Sequence, residues 1–321
     1  MNKELEYKPI SILMPVKNAE YWLSQTLAGI AANVGPNDEI VIIDNESSDN
    51  TESVIKSELR DYPIKYLKAK GGLAEILNFG MNKCQNQWVA RFDADDSYPS
   101  NRLTDQRSAI PNADNVAVIF SDYRVFGDGK KYLGFIPTPL EALATEISLF
   151  NSQRTPHSGA LINKELALAV GGYSQDEFPA EDLGLWLRLA KKYNLVGIPI
   201  IGLDYNLNRA SITGRRFKDS KRMTLVLNKK YPLASEKLLG AIDSLESRLS
   251  LYSDKPHQAE RSLLHLIEIM GQPAFKTMGR EQKVKVQLKF FEEIFSPRNL
   301  ISNSELLRYK LFRKIYRKLT K

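Results

Sequence analysis

The sequence predicts an α/β body built on a mostly parallel sheet with helices on both faces, followed by an all-helical basic extension. Three observations carry that expectation. Short, β-branched apolar runs alternate with helix-spaced segments from the start of the chain. The runs are continuous rather than alternating, the mark of strands covered on both sides. Beyond Phe217 the pattern becomes helical only. At 321 residues the chain is long enough for two domains, and the expected division is 1–217 and 218–321.

Each element can be justified in order. Ile10–Val16 (ISILMPV) is the first apolar run, and Leu23, Leu27 and Ile30–Ala31 then recur at helical spacing. Glu39–Asp44 (EIVIID) is the second run, followed by a helix over Asp49–Leu59 that Asp49 or Asn50 could cap. Ile64–Leu67 and Trp88–Phe92 are further strands, separated by a helix over Leu73–Cys84, and another helix starts near Pro99. Val116–Ser121 reads as a strand, Gly127–Lys131 as a hairpin turn, and Leu195–Tyr205 as an extended return. Leu161–Val170 and Glu181–Tyr193 read as helices. In the extension, helices are expected over Ser235–Leu251, His257–Met270, Gln282–Phe295 and Ser304–Leu319, with Pro256, Pro273 and Pro297 between them.

Composition removes several classes. Hydrophobic residues at 43% and charged residues at 26% suit a packed core, so disorder is not the theme. A single cysteine, Cys84, excludes an intramolecular disulfide scaffold and a cysteine-based zinc site. No apolar run reaches membrane-spanning length and the first residues lack a signal-peptide layout, so the expected location is cytoplasmic. Charge is uneven: residues 1–217 hold 23 Lys and Arg against 27 Asp and Glu, whereas residues 218–321 hold 22 against 11. The last stretch, 304–321, has seven basic residues and one acid. On a helical wheel Leu311, Phe312, Ile315, Tyr316 and Leu319 share one side of it, opposite most of the basic residues. That layout suits an anionic membrane surface; docking on the body or on a second subunit is the alternative.

In parallel α/β sheets, ligands bind beyond the carboxyl ends of strands. Two runs end in acids there: Asp44, and the turn Asp93-Ala94-Asp95-Asp96. Crowded carboxylates repel one another, so the turn either meets a hard cation such as Mg²⁺ or Mn²⁺ shared with a diphosphate, or stays solvated as a helix cap. An EF-hand reading from Asp93 fails, because Tyr98 and Thr104 stand where Gly and Glu are required, and no P-loop is present.

Taken in order, ISILMPVKNAEYWLSQTL, EIVIIDNESSDNT, GGLAEILNFGMNK, ARFDADDSYPSNRLTDQ and GGYSQDEFPAEDLGLWLRLAKKY resemble the motifs of family 2 glycosyltransferases of the Rossmann-like GT-A fold. The resemblance spans residues 9–213, about two thirds of the chain, and is closest to bacterial enzymes of surface-polysaccharide synthesis such as capsule and O-antigen. It implies a nucleotide-diphosphate sugar donor (UDP-sugar first), Mn²⁺ or Mg²⁺, and inverting transfer to a hydroxyl of a saccharide or lipid-linked acceptor. It implies Pro15 and Val16 at the nucleobase pocket with Glu20 close by, Asp44 against the base, Asp95 near the ribose and Asp96 as metal ligand. Asp182 matches the general base, with Glu181 beside it. Without the family Asp182 reads as a helix cap. Asn78 and Arg91 are expected on the donor side.

The chain departs from the family in two places. Leu77 stands before Asn78 where Arg is frequent, with Arg91 as its substitute, and Tyr205-Asn206-Leu207-Asn208 lacks a His that can approach the diphosphate. Arg215 and Arg216 could cover the phosphates, or form a solvated turn. His157 is expected either at the acceptor pocket or as a buried structural residue. Among other classes, a sugar-phosphate nucleotidyltransferase would need a Gly-rich basic loop after the first strand. A phosphatase would carry its aspartates on that strand. A nucleic-acid binder would show a recognition module, and none is present, so no nucleic-acid partner is expected. A catalytically degenerate binding partner is countered by intact Asp44, Asp96 and Asp182. The tail helices are compatible with a homo-oligomer.

Overall fold

A computed structural model describes residues 7–110, 115–127, 130–140, 155–207 and 215–231, with 142, 145, 146 and 149. These fall within the first of two compact units, Met1–Leu149 with Gln153–Tyr231. The expected helices beyond residue 232, the 304–321 segment and Asn208 lie outside the described residues.

The strands β1 (Ile10–Val16), β2 (Glu39–Asp44), β3 (Ile64–Lys68) and β4 (Trp88–Arg91) pair in parallel, in the order β3-β2-β1-β4. They are linked by the helices α1 (Leu23–Asn33), α2 (Thr51–Glu58) and α3 (Leu73–Lys83). A side chain changes face at each residue of a strand, and both faces are apolar here. Ile10, Ile12, Met14, Ile40 and Ile42 join Leu23, Leu27 and Ile30 of α1 and Ile55 of α2 in one core. On the other face Leu13 and Ile43 meet α3 at Gly80, where a larger residue would press on them.

The sheet then turns mixed. β7 (Leu161–Asn163) runs antiparallel to β4, and β5 (Val116–Gly127) runs antiparallel to β7. β6 (Lys131–Ile136) closes a hairpin with β5, and β8 (Asn194–Asn206) pairs with β5 in parallel. α4 (Arg102–Ser108) follows the acidic turn, α5 (Lys164–Ala169) follows β7, and α6 (Glu181–Ala190) precedes β8. The run from Leu161 is therefore a strand before it is a helix. Leu161 and Ile162 are wholly buried against Ala90 and Val89, and Asn163 starts the helix by accepting from the Leu166 amide at 3.3 Å. A short apolar run at a helix boundary has no period that separates the two states.

β5 and β8 are longer than the sequence pattern predicts, and both overshoot the carboxyl edge of the parallel strands. The helical pattern expected beyond Phe217 starts with α7 (Phe217–Lys230), ahead of the first helix delimited from sequence, and α7 is tied to the body through Glu177. Glu177 is buried, accepts from Tyr231 at 3.1 Å, pairs with Arg188 and has Lys230 at 3.6 Å.

Beneath the acidic turn lies Arg102, fully buried. It donates to the carbonyl of Arg91 at 2.9 Å and of Ala160 at 3.3 Å, and lies over the Phe92 ring at 4.2 Å. Burial lowers its pKa to about 10, so it stays charged at neutral pH. Truncation would take this donor from the Arg91 carbonyl and open a cavity, while the Ala160 carbonyl keeps the Arg91 amide at 2.9 Å. Arg102→Ala is expected to lower unfolding free energy by about 3 kcal/mol, read from the urea midpoint at unchanged slope.

Candidate active site

Two acidic groups flank one buried guanidinium at the carboxyl edge of the sheet. The first is the turn after β4. Tyr98 accepts from the Asp93 amide at 2.6 Å, and the Thr26 hydroxyl of α1 faces the carbonyls of Ala94 (2.9 Å) and Asp96 (2.6 Å). The Asp96 side chain is buried: Oδ2 accepts from Ser158 at 2.6 Å and Oδ1 from the Asn206 amide at 2.9 Å. The Asn206 side chain also donates to the Asp95 carbonyl at 2.8 Å. Asp93 and Asp95 are partly exposed. Burial, then the neighbouring Asp93 charge, raises the Asp95 carboxyl to about 6, and burial with Asp95 and Asp93 raises Asp96 well above the carboxylate range.

The second group heads α6. Glu181 is buried, and its carboxyl is pushed up to about 8 by burial and then by the Asp182 charge. Asp182 accepts from the Leu183 amide at 2.7 Å; burial raises its pKa too. Arg91 stands between the two groups. Its guanidinium pairs with Asp93 at 2.6 Å and donates to the Phe92 carbonyl, and its positive charge lowers the pKa of Asp95, Glu181 and Asp182 alike. Burial disfavours the guanidinium's charge, yet Asp93 and its other neighbours hold its pKa above the ordinary value.

The remaining expected donor-side residues gather one and two strands away. Val16 pairs with Asp44 across β1 and β2, and β1 separates β2 from β4. That places Asp44 about 10 Å from the acidic turn at the usual strand spacing. Asp44 is buried, accepting from the Ser47 amide at 2.8 Å and from Tyr66. Pro15 sits beside Val16, opposite Ile43. Glu20 is exposed and accepts from the Asn50 amide at 2.9 Å, lacing the two loops together. Asn18 completes the lace with a positive φ of 50° and accepts from the Ser48 amide at 2.8 Å.

Asn78 is brought elsewhere. Its amide clamps the backbone of Tyr173 in both directions, at 2.8 Å each, so it holds the Gly-Gly-Tyr turn before α6. Leu77 beside it is fully buried. His157 is half-buried, with Nε2 2.8 Å from the Tyr173 hydroxyl and its ring 6.0 Å from Trp186. Burial and then Arg91 keep it neutral. Ser158, Tyr98, Thr26 and Asn206 shape the turn but were not singled out for that role from sequence. Ser158 sits beside His157 in the Pro-His-Ser-Gly stretch; nothing in the spacing reveals its partner 62 positions away.

Among the described residues no three His, Cys, Asp or Glu side chains converge as a metal cage. Mg²⁺ and Mn²⁺ need less when a substrate supplies phosphates: one or two carboxylates suffice. Asp95, partly exposed, and Asp96, with a lone pair left on each oxygen, meet that requirement.

The open α/β sheet thus carries an acidic turn at its strand ends and the acidic start of α6 across from it. The glycosyl transferase family 2 model matches residues 11–168, and this part of the chain belongs to that family. Relatives of this chain are named as bacterial glycosyltransferases. The chain is 27% identical over 223 residues to the Escherichia coli UDP-Glc:alpha-D-GlcNAc-diphosphoundecaprenol beta-1,3-glucosyltransferase WfgD, covering 68% of this chain and 85% of that protein. It is 31% identical over 189 residues to the Escherichia coli UDP-Gal:alpha-D-GlcNAc-diphosphoundecaprenol beta-1,3-galactosyltransferase, covering 56% and 66%. The mannosyltransferase PcManGT of Pyrobaculum calidifontis, solved with GDP-Man and Mn²⁺, shares the fold: TM-score 0.56 at 15% identity, covering 98% of this chain and 88% of that one.

A Glu181 carboxyl at about 8 binds its proton more tightly in the folded than in the unfolded state, whose carboxyl titrates near 4.5. Stability is then full below about 4.5 and is lost as pH rises toward 8. Glu181→Gln is expected to raise the melting temperature, with a gain that is absent at acid pH, grows up to about 8 and levels off above it. Melting curves across that range check it.

Proposed function

We propose that this chain moves a sugar from a UDP-sugar to a hydroxyl of a lipid-linked saccharide, inverting the anomeric centre, in bacterial polysaccharide synthesis. The observation that carries the reading is the placement of two acidic groups around Arg91, one at the strand ends and one at the head of α6. The donor and acceptor classes are those named for the two Escherichia coli relatives.

The donor lies along the carboxyl ends of β1, β2 and β4. Pro15, Val16 and Asp44 meet the base, with Glu20 fixing the loop over it. The sequence expectation assigned the cation to Asp96 and the ribose to Asp95. The geometry favours Asp95 for the first coordinating carboxylate, because both oxygens of Asp96 already accept hydrogen bonds from Ser158 and Asn206. Asp96 then joins through a remaining lone pair and anchors the turn to β8. When bound, Mn²⁺ or Mg²⁺ supplies the Lewis acid that neutralises charge on the departing diphosphate. Arg91 holds Asp93 and the turn in place rather than reaching the donor, since its guanidinium is fully buried.

Asp182 takes the proton from the attacking hydroxyl. Its burial and its acidic neighbourhood raise its pKa, which makes it a stronger base than a solvated aspartate. Glu181, with its carboxyl at about 8, holds a proton near neutral pH and leaves the Asp182 charge unopposed by a second anion. A single displacement needs no protein nucleophile, and a diphosphate leaves without an acid catalyst. The basic segment 304–321 is assigned to an anionic membrane face, where such acceptors are embedded. Among the described residues no helix is long and apolar enough to cross a membrane.

Two measurements test the assignments. Asp182→Asn is expected to bind UDP with unchanged affinity and to lose at least about a hundredfold in transfer rate; retained transfer would refute the base. Asp95→Asn is expected to abolish the Mn²⁺-dependent part of UDP binding in calorimetry.

A further inference from the structure

His157 has a hydrogen-bonding edge that neither the acidic turn nor the base uses. Its place follows from strand register. β7 runs antiparallel to β4, with Leu161 opposite Ala90 and the Arg91 amide donating to the Ala160 carbonyl at 2.9 Å. The residues just before Ala160 therefore run out past the carboxyl end of β4, alongside the acidic turn. Ser158 fastens them there through its 2.6 Å bond to Asp96.

The His157 ring in turn reaches α6. It lies 6.0 Å from the Trp186 ring, and Trp186 follows Asp182 by one helical turn, on the same face. Nε2 is 2.8 Å from the hydroxyl of Tyr173, which feels the charges of Arg91, Asp182, Glu181 and Asp93. His157 thus stands in the gap between the acidic turn and the Asp182 face of α6.

Hydrogen-bond accounting fixes its tautomer. The Tyr173 hydroxyl is buried, and burial keeps its proton in place. Among the described residues its one hydrogen-bond partner is Nε2. A buried hydroxyl needs an acceptor, so the phenol donates to Nε2. Burial and then the Arg91 charge keep the imidazole neutral, so its single proton sits on Nδ1. Nδ1 has no partner among the described residues, and His157 is only half-buried. That leaves a free N–H donor in the gap.

We propose that His157 is a sugar-binding residue, its Nδ1–H donating to a hydroxyl of the hexose being transferred. The assignment rests on the donor site argued above. There the anomeric carbon lies between the diphosphate at the turn and the hydroxyl that Asp182 deprotonates. The hexose ring therefore spans the gap in which His157 stands. In a single displacement the acceptor enters from the side opposite the diphosphate, away from the turn to which Ser158 ties His157. A neutral N–H suits a sugar oxygen, which carries no charge to pair.

The test separates the two ring nitrogens. Glutamine places its amide where Nε2 stands, and asparagine places it where Nδ1 stands. Calorimetry on the full chain with Mn²⁺ follows UDP and, separately, UDP-glucose, UDP-galactose and UDP-N-acetylglucosamine. His157→Asn keeps a donor toward the sugar and is expected to hold the sugar nucleotide within about twofold of wild type. His157→Gln keeps only the Tyr173 contact and is expected to weaken it about five- to tenfold, the worth of one hydrogen bond. Both should bind UDP as wild type does, which also reports an intact fold. An Asn variant as weak as Gln, or weaker, makes His157 a brace for Tyr173 and overturns the proposal. A Gln variant that keeps sugar-nucleotide affinity does the same. Loss of UDP itself places the effect in the acidic turn and also overturns it. Wild type that binds UDP but none of the three sugar nucleotides sinks the proposal while the nucleotide site stands. Wild type that binds none of the four refutes the donor site, and this assignment with it.

Discussion

The structure of the site depends on one buried charge. Arg91 leaves β4 at the carboxyl edge of the sheet, with its guanidinium wholly out of solvent. A buried cation is costly unless it is paired and hydrogen-bonded. Asp93, the Phe92 carbonyl and the field of Glu181, Asp182 and Asp95 supply the compensation. The dependence is mutual, because crowded carboxylates would not keep their charge without a cation among them. Arg102, one layer below, fixes the Arg91 carbonyl and completes the support.

From that constraint the division of labour follows. The turn after β4 is braced by Tyr98, Thr26, Ser158 and Asn206, each from a different part of the chain. Its backbone is therefore rigid while the Asp95 carboxylate stays accessible. The head of α6 is oriented by Asn78, whose side chain grips the Tyr173 backbone. Preorganised charge of this kind is what a transferase requires, since little reorganisation remains when the diphosphate departs.

Much of the parallel half was legible from sequence, because continuous apolar runs and helical spacings have distinct periods. The strand at Leu161 was not, since three residues are too few to show a period. Helix α7 lies where a helical pattern was expected, but its bounds were not legible: its anchor is Glu177, far away in sequence, and its own face is mostly polar. The acidic turn and Asp182 stood out as residue types in order. Their braces did not, because Ser158 and Asn206 are ordinary residues until the fold brings them to Asp96. Asn78 shows the reverse. It sits inside a recognisable motif, yet its partner is the protein's own backbone.

The most direct measurement of the central claim is the ¹³C carboxyl titration of Glu181, assigned by its loss in Glu181→Gln, in the wild type and in Arg91→Met. Coupling through the buried guanidinium predicts a wild-type midpoint near 8 and a higher one when the guanidinium is removed. A wild-type midpoint in the ordinary carboxylate range, or one that does not move in Arg91→Met, would contradict the account.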